Sequence, residues 1–188
     1  MLWSNDTSLT NVWAGNTANA KQALAFNEPD QCGAGSGGSC MGDAAGVAAA
    51  YKKWMQPLAG RARLGAPAVT NGGAPMGLAY LQDFLGNCTG CQVDFVPVHW
   101  YDSATNVAYF KSYVAQAYAA GGNRPLWITE FSGSGTDAQQ QQFLQQVLPW
   151  LDATSYVERY AWFGAFTGSL LSPDGSGLSA QGQMYNSY

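Results

Sequence analysis

Short apolar runs alternate with amphipathic stretches along most of the chain. Ala23-Leu24-Ala25-Phe26, Arg63 to Val69, Val93 to Trp100, Leu126-Trp127-Ile128-Thr129 and Val157 to Phe163 read as strands. Between them apolar residues recur at helical spacing. Val47, Tyr51, Trp54, Met55 and Leu58 follow Asp43, a suitable N-cap. Leu78, Leu81, Phe84, Leu85 and Cys88 mark a second face. Val107, Phe110, Val114, Ala117 and Tyr118 mark a third, ended by Gly121-Gly122. Phe143, Leu144, Val147, Leu148 and Leu151 form the next helix, with Asp137 and Gln140 as its expected capping box and Pro149 expected to kink its last turn. Leu178 to Tyr185 suggests a closing helix. Pro97 removes a ladder donor, so irregular pairing is expected there.

This alternation predicts an α/β fold with a parallel sheet and helical crossovers. The strands are nearly all apolar, as befits a sheet covered on both faces; a doubly wound sheet and a barrel both satisfy that pattern. There is no internal repeat and no linker, and 188 residues suit a single domain spanning 1–188. Hydrophobic residues at 47% against 11% charged exclude a disordered chain. A net charge of -4 with no Lys/Arg cluster argues against nucleic acid and anionic membrane as partners. No apolar run approaches the roughly 18 residues of a membrane helix. Seven Trp, ten Tyr and eight Phe suit an uncharged ligand offering hydroxyls and apolar ring faces.

Four cysteines at short spacing, Cys32 with Cys40 and Cys88 with Cys91, fit two local disulfides and an oxidising compartment. A redox pair or half a zinc site is the alternative for Cys88 and Cys91, but the pair follows a helical stretch and His99 is the only His. Sequons at Asn5 and Asn87 point in the secretory direction, whereas Met1-Leu2-Trp3-Ser4 is no signal peptide. The Gly-rich stretch from Gly33 to Gly42 opens no helix, so a phosphate fingerprint is absent. Neither Gly133-Ser134-Gly135 nor Gly35-Ser36-Gly37 provides a nucleophile elbow. No cofactor and no metal are called for.

Of three Glu, two share a context: Glu28 follows an apolar run in Phe26-Asn27-Glu28-Pro29-Asp30 and Glu130 follows another in Trp127-Ile128-Thr129-Glu130-Phe131. Carboxylates at the C-terminal ends of parallel strands sit where catalytic loops gather. Two that converge on a cleft supply the acid and the nucleophile of glycosidic cleavage, with burial raising one pKa and polar donors keeping the other charged. Glu158, at the opposite end of its strand, reads as a structural partner of Arg159 or another Arg. His99, Trp100 and Tyr101 close the intervening strand, and Trp3, Trp100 and Trp162 each end an apolar run near the same rim, suited to stacking on sugar faces. Trp54, Trp127 and Trp150 read as core.

Five segments in series resemble glycoside hydrolase family 128, the fungal and bacterial β-1,3-glucanases: Phe26 to Asp30, Gly65 to Val69, Val93 to Tyr101, Ile128 to Phe131 and Arg159 to Phe163. The resemblance covers about residues 1–185. It implies a (β/α)8 TIM-type barrel and a retaining endo-β-1,3-glucanase acting on cell-wall β-glucan, in an extracellular or wall location and as a monomer. By the same resemblance Glu28 is the acid/base and Glu130 the nucleophile. Asn27 holds a sugar hydroxyl; His99, Trp100 and Tyr101 position Glu130 or line subsites; Trp3 and Trp162 face the glucan. Met1-Leu2-Trp3 aligns with the end of the family's third strand, so a barrel N-terminally truncated to about six strand–helix units is expected. A non-catalytic glucan-binding wall protein or an inactive truncated form is the alternative.

Overall fold

The computed structural model describes residues 1–188. In chain order it comprises α1 (Thr7–Asn16), β1 (Gln22–Ala23), α2 (Ala44–Trp54), a 3-10 turn (Gln56–Leu58), β2 (Arg63–Leu64), α3 (Gly77–Asn87), β3 (Val96–Ser103), α4 (Val107–Ala120), β4 (Leu126–Ser134), α5 (Asp137–Ala153), β5 (Val157–Trp162) and α6 (Ala180–Asn186). No helix is long and apolar enough to cross a membrane.

Every strand pairing is parallel. β1 pairs with β2, and β3, β4 and β5 form a second sheet in that order. An isolated bridge Asn27↔Ala68 extends the β1–β2 pairing, and the bridges Gly65↔Phe95 and Val69↔Val98 connect the two sheets. The first residues join at the other edge: Leu2 N–H donates to the Leu24 carbonyl and Asn27 N–H to the Trp3 carbonyl. Six apolar runs therefore lie side by side in sequence order, and the helices connect them. The strand expected at Ala23 to Phe26 is regular only at Gln22–Ala23, and its later residues pair through bridges and single bonds.

Two contacts show how strongly the strands curl. Arg63 on β2 and Glu158 on β5 pair at 2.8 Å although β3 and β4 separate their strands. Between them Phe95 and Trp127 stack at 4.0 Å, with Arg63 over Phe95 and Arg159 over Trp127. Only a sheet bent round on itself brings β2 and β5 that close. Glu158 also accepts from Trp127 Nε1. It is thus the structural partner of an Arg expected from the sequence, with Arg63 as that partner.

The helix faces follow the apolar spacing. Val47, Tyr51, Leu81, Phe84, Phe110, Val114, Phe143, Leu144 and Leu151 are all buried against the sheet. Asp43 caps α2 by accepting from Gly46 N–H, as expected. The capping box of α5 lies one residue earlier than expected: Thr136 and Gln139, not Asp137 and Gln140, exchange side-chain and backbone bonds. Both pairs have the required spacing, and what decides is that Asp137 already has helical geometry. α5 continues through Pro149 to Ala153. α1 was not expected from the sequence, because only Thr10 and Trp13 of its residues are buried and its apolar periodicity is weak.

Cys32 bonds to Cys40 and Cys88 to Cys91, the sequence-local pairing. Cys88 lies at the C-cap of α3, the wrong end of a helix for a redox thiol. The irregularity expected at Pro97 falls one residue later, where the β3–β4 register shifts between Val98 and His99.

Candidate active site

Glu28 directly follows the Asn27↔Ala68 bridge in the run after β1, with its N–H bonded to the Ala68 carbonyl at 2.7 Å. Its φ of 42° is left-handed, a conformation that costs a non-glycine residue on the order of 1–2 kcal/mol. Neighbouring bonds hold it there. Gln31 N–H donates to the Glu28 carbonyl. Two residues on, the buried carboxylate of Asp30 accepts from Thr70 N–H, Thr70 Oγ1–H at 2.7 Å and Gly77 N–H at 2.8 Å. Gly77 has φ +59°, and a Cβ there would meet the Gly72 carbonyl oxygen at 2.1 Å, so the approach to Asp30 requires glycine. Asp30 therefore fastens the Glu28 turn to the loop after β2, a role the sequence reading did not single out.

His99, fully buried, stands between the two acids. Its Nδ1 is 2.8 Å from Glu28 Oε1 and 3.6 Å from Glu130 Oε2, and its Nε2 is 3.0 Å from Thr129 Oγ1. Tyr101 donates its hydroxyl to Glu130 Oε2 at 2.5 Å. Burial first, and the bond to Glu130 second, push the Tyr101 phenol far above its ordinary value, so it stays a donor. One carboxylate oxygen of Glu28, one of Glu130 and a His99 nitrogen all lie within 4.8 Å of one another. The same three donors are the cluster that could approach a common metal ion.

The two carboxylates open into a cleft of about 640 Å³ lined by Met1, Trp3, Asn27, Gln31, Tyr101 and Phe163 and by the Gly35-Ser36-Gly37 loop. A second hollow of about 270 Å³ begins on the other side of Glu28 and Tyr101, against Thr70, Asn71 and Met76. Asn27 Nδ2 donates to the Gly37 carbonyl, which ties the disulfide-closed loop to the cleft wall.

Two expected cleft aromatics lie elsewhere. Trp100 is fully buried, stacked on Phe143 at 5.3 Å and edge-on to Phe110 at 5.0 Å. Successive strand side chains alternate in direction, so His99 and Tyr101 take the cleft face and Trp100 the helix face. Trp162 is also buried, edge-on to Phe131 with its Nε1 bonded to Ser169 Oγ, and it does not line the cleft. Its neighbour Phe163 is exposed instead and meets Tyr101 edge-on at 5.9 Å. Trp3, 40% exposed, lines the cleft as expected. Trp127 is core, and Trp54 and Trp150 are partly buried against it.

Residues 1–185 match the family model of the glycosyl hydrolase catalytic core. The chain belongs to glycoside hydrolase family 128. A curdlan-specific exo-β-1,3-glucanase of this family (subgroup III) from Blastomyces gilchristii, solved with glucose, is similar to this family 128 chain with a TM-score of 0.82. The two are 45% identical over 93% of this chain and 73% of that one. The family 128 (subgroup I) endo-β-1,3-glucanase of Amycolatopsis mediterranei, solved with laminaritriose, gives a TM-score of 0.81 and 31% identity over 100% of this chain and 80% of that one. Alkali-sensitive linkage protein 1 of Schizosaccharomyces pombe is 33% identical in an alignment of 181 residues that covers 86% of this chain. The family 128 chain spans about a third (32%) of that relative's length.

Proposed function

We propose that this chain is a retaining β-1,3-glucan hydrolase in which Glu130 is the nucleophile and Glu28 the acid/base. The observation that carries the reading is the approach of the two carboxylates to within 4.8 Å, residues 102 positions apart in sequence (28 to 130). Carboxyl groups about 5–5.5 Å apart suit retention, whereas inversion needs about 6.5–9.5 Å to admit water between them. Tyr101 supports the assignment of Glu130: a donated O–H suits a carboxylate that acts as an anion.

The steps follow. A glucosyl residue lies across the cleft with its glycosidic oxygen at Glu28. A Glu130 oxygen bonds to the anomeric carbon as the carbon–oxygen bond to the leaving sugar breaks, and the Glu28 proton passes to that oxygen. A water then gives its proton to Glu28 while its oxygen displaces Glu130 from the anomeric carbon, restoring both carboxyls. The hollows on either side of Glu28 provide room for sugars before and after the cleaved bond, and Trp3 and Phe163 offer apolar ring faces.

The six parallel runs read as consecutive staves of a TIM-type barrel with the carboxylates at the C-terminal rim. Endo attack is the first expectation, and the 45% identity to an exo-acting enzyme favours the exo reading beside it. Two disulfides fit a secreted or wall location.

Laminarin incubation with a reducing-end assay tests the reading. Turnover by the wild type should fall at least about 100-fold in both Glu28→Gln and Glu130→Gln. Binding without turnover would instead mean a non-catalytic glucan-binding protein. Product sizes over time separate endo from exo cutting.

A further inference from the structure

The β3–β4 register steps from Val98↔Ile128 to His99↔Glu130, which leaves Thr129 without a partner on β3. In a regular strand Thr129 and Glu130 would point to opposite faces. An extra residue in one strand re-aims the side chains around it. Both therefore turn toward one imidazole: Thr129 Oγ1 is 3.0 Å from His99 Nε2, and Glu130 Oε2 is 3.6 Å from Nδ1.

The ring is fully buried, so each nitrogen needs a partner of the right polarity. On the Nδ1 side stand only oxygens of Glu28 and Glu130, at 2.8 and 3.6 Å. The nucleophile Glu130 is an anion that only accepts, and a Glu28 that carries its proton on Oε2 offers Oε1 as an acceptor, so the proton belongs on Nδ1. Nε2 is then a lone pair, and it faces the Thr129 hydroxyl, which is able to donate.

We propose that Thr129 is a positioning residue: its hydroxyl donates to His99 Nε2 and fixes the tautomer whose Nδ1–H holds Glu28 Oε1. This inference rests on the reading of Glu28 as acid/base. The arrangement engages one oxygen of Glu28 with the protein and leaves Oε2 to exchange its proton with the glycosidic oxygen. In the opposite tautomer a lone pair would face the carboxylates, and Glu28 would lose the bond that aims it.

His99 is the only histidine, so nitrogen-detected NMR of the imidazole needs no assignment. Spectra of the neutral ring should show the proton on Nδ1 in the wild type. Thr129→Val should give a tautomer mixture and about a tenfold lower kcat on laminarin with KM within about twofold, and Thr129→Ser should restore both. A wild-type ring protonated at Nε2 overturns the proposal, as does a Thr129→Val protein with unchanged spectrum and kcat. If Thr129→Val does not fold, the wild-type and Thr129→Ser spectra still decide. A wild type that leaves laminarin intact counts against the hydrolase reading alone, since the spectrum answers separately.

Discussion

Tyr101 places its hydroxyl 2.5 Å from Glu130, from a strand position two residues beyond the histidine that holds Glu28. One strand end, β3, thus serves both carboxylates. The spacing of two does this, because His99 and Tyr101 share a face while Trp100 between them anchors the strand in the core.

Removal of that phenol oxygen should weaken catalysis more than folding. A hydrogen bond to a charged group contributes about 1.5–3 kcal/mol, so Tyr101→Phe should lower kcat on laminarin by about 10- to 100-fold. Its melting temperature should stay near that of the wild type, since Tyr101 is 39% exposed. An unchanged kcat would remove Tyr101 from the mechanism.

Trp3 and Trp100 should separate binding from stability. Trp3→Ala takes an exposed ring from the cleft and should raise KM several-fold with little loss of stability. Trp100→Ala empties a fully buried site among Phe110 and Phe143 and should cost about 3–5 kcal/mol of folding free energy. Denaturant titration with parallel kinetics checks both; similar effects from the two would contradict the assigned places.

The Cys32–Cys40 bond closes the loop that brings Gly35–Gly37 to the cleft. The double change Cys32→Ser with Cys40→Ser should cost about 2–3 kcal/mol through the freer unfolded chain. It should also raise KM, because the Gly37 carbonyl that engages Asn27 loses its tether. A KM equal to the wild type's would show that the loop takes no part in binding.

Glu158 predicts an acid-sensitive contribution. Burial alone would raise its pKa, but bonds from Trp127 and Arg63 and the Arg63 charge hold it below the ordinary 4.5. A carboxyl with a depressed folded pKa stabilises the fold above its unfolded pKa and loses that contribution as pH falls through the folded value. The effect is small, since both partners are a third or more exposed. In melts from neutral pH down to about pH 3, the gap between wild type and Glu158→Gln should close with acid. A gap independent of pH would show that the Arg63 pairing contributes nothing.

The apolar pattern alone located all five strands, the first of them regular only at its start, and the helices that bury a continuous stripe, α2 to α5, because burial of one face imposes a spacing that survives in the sequence. The two site carboxylates were legible for a related reason: strand-end Glu residues in a chain with only three Glu stand out. Helix α1 was not, since it buries too little to impose a pattern.

Which aromatic faces the cleft was decided by strand alternation and by where a register shift falls. These are relations between strands, set by ladder bonds to residues about 30 positions away. They put Trp100 and Trp162 in the core, brought Phe163 to the rim, and turned Thr129 toward His99. The sequence by itself determined that parallel strands would carry two acids to their ends. Only the tertiary structure decided that one buried imidazole stands between them and that Asp30 secures the left-handed turn of Glu28, because such contacts depend on packing across elements and leave no local period to read.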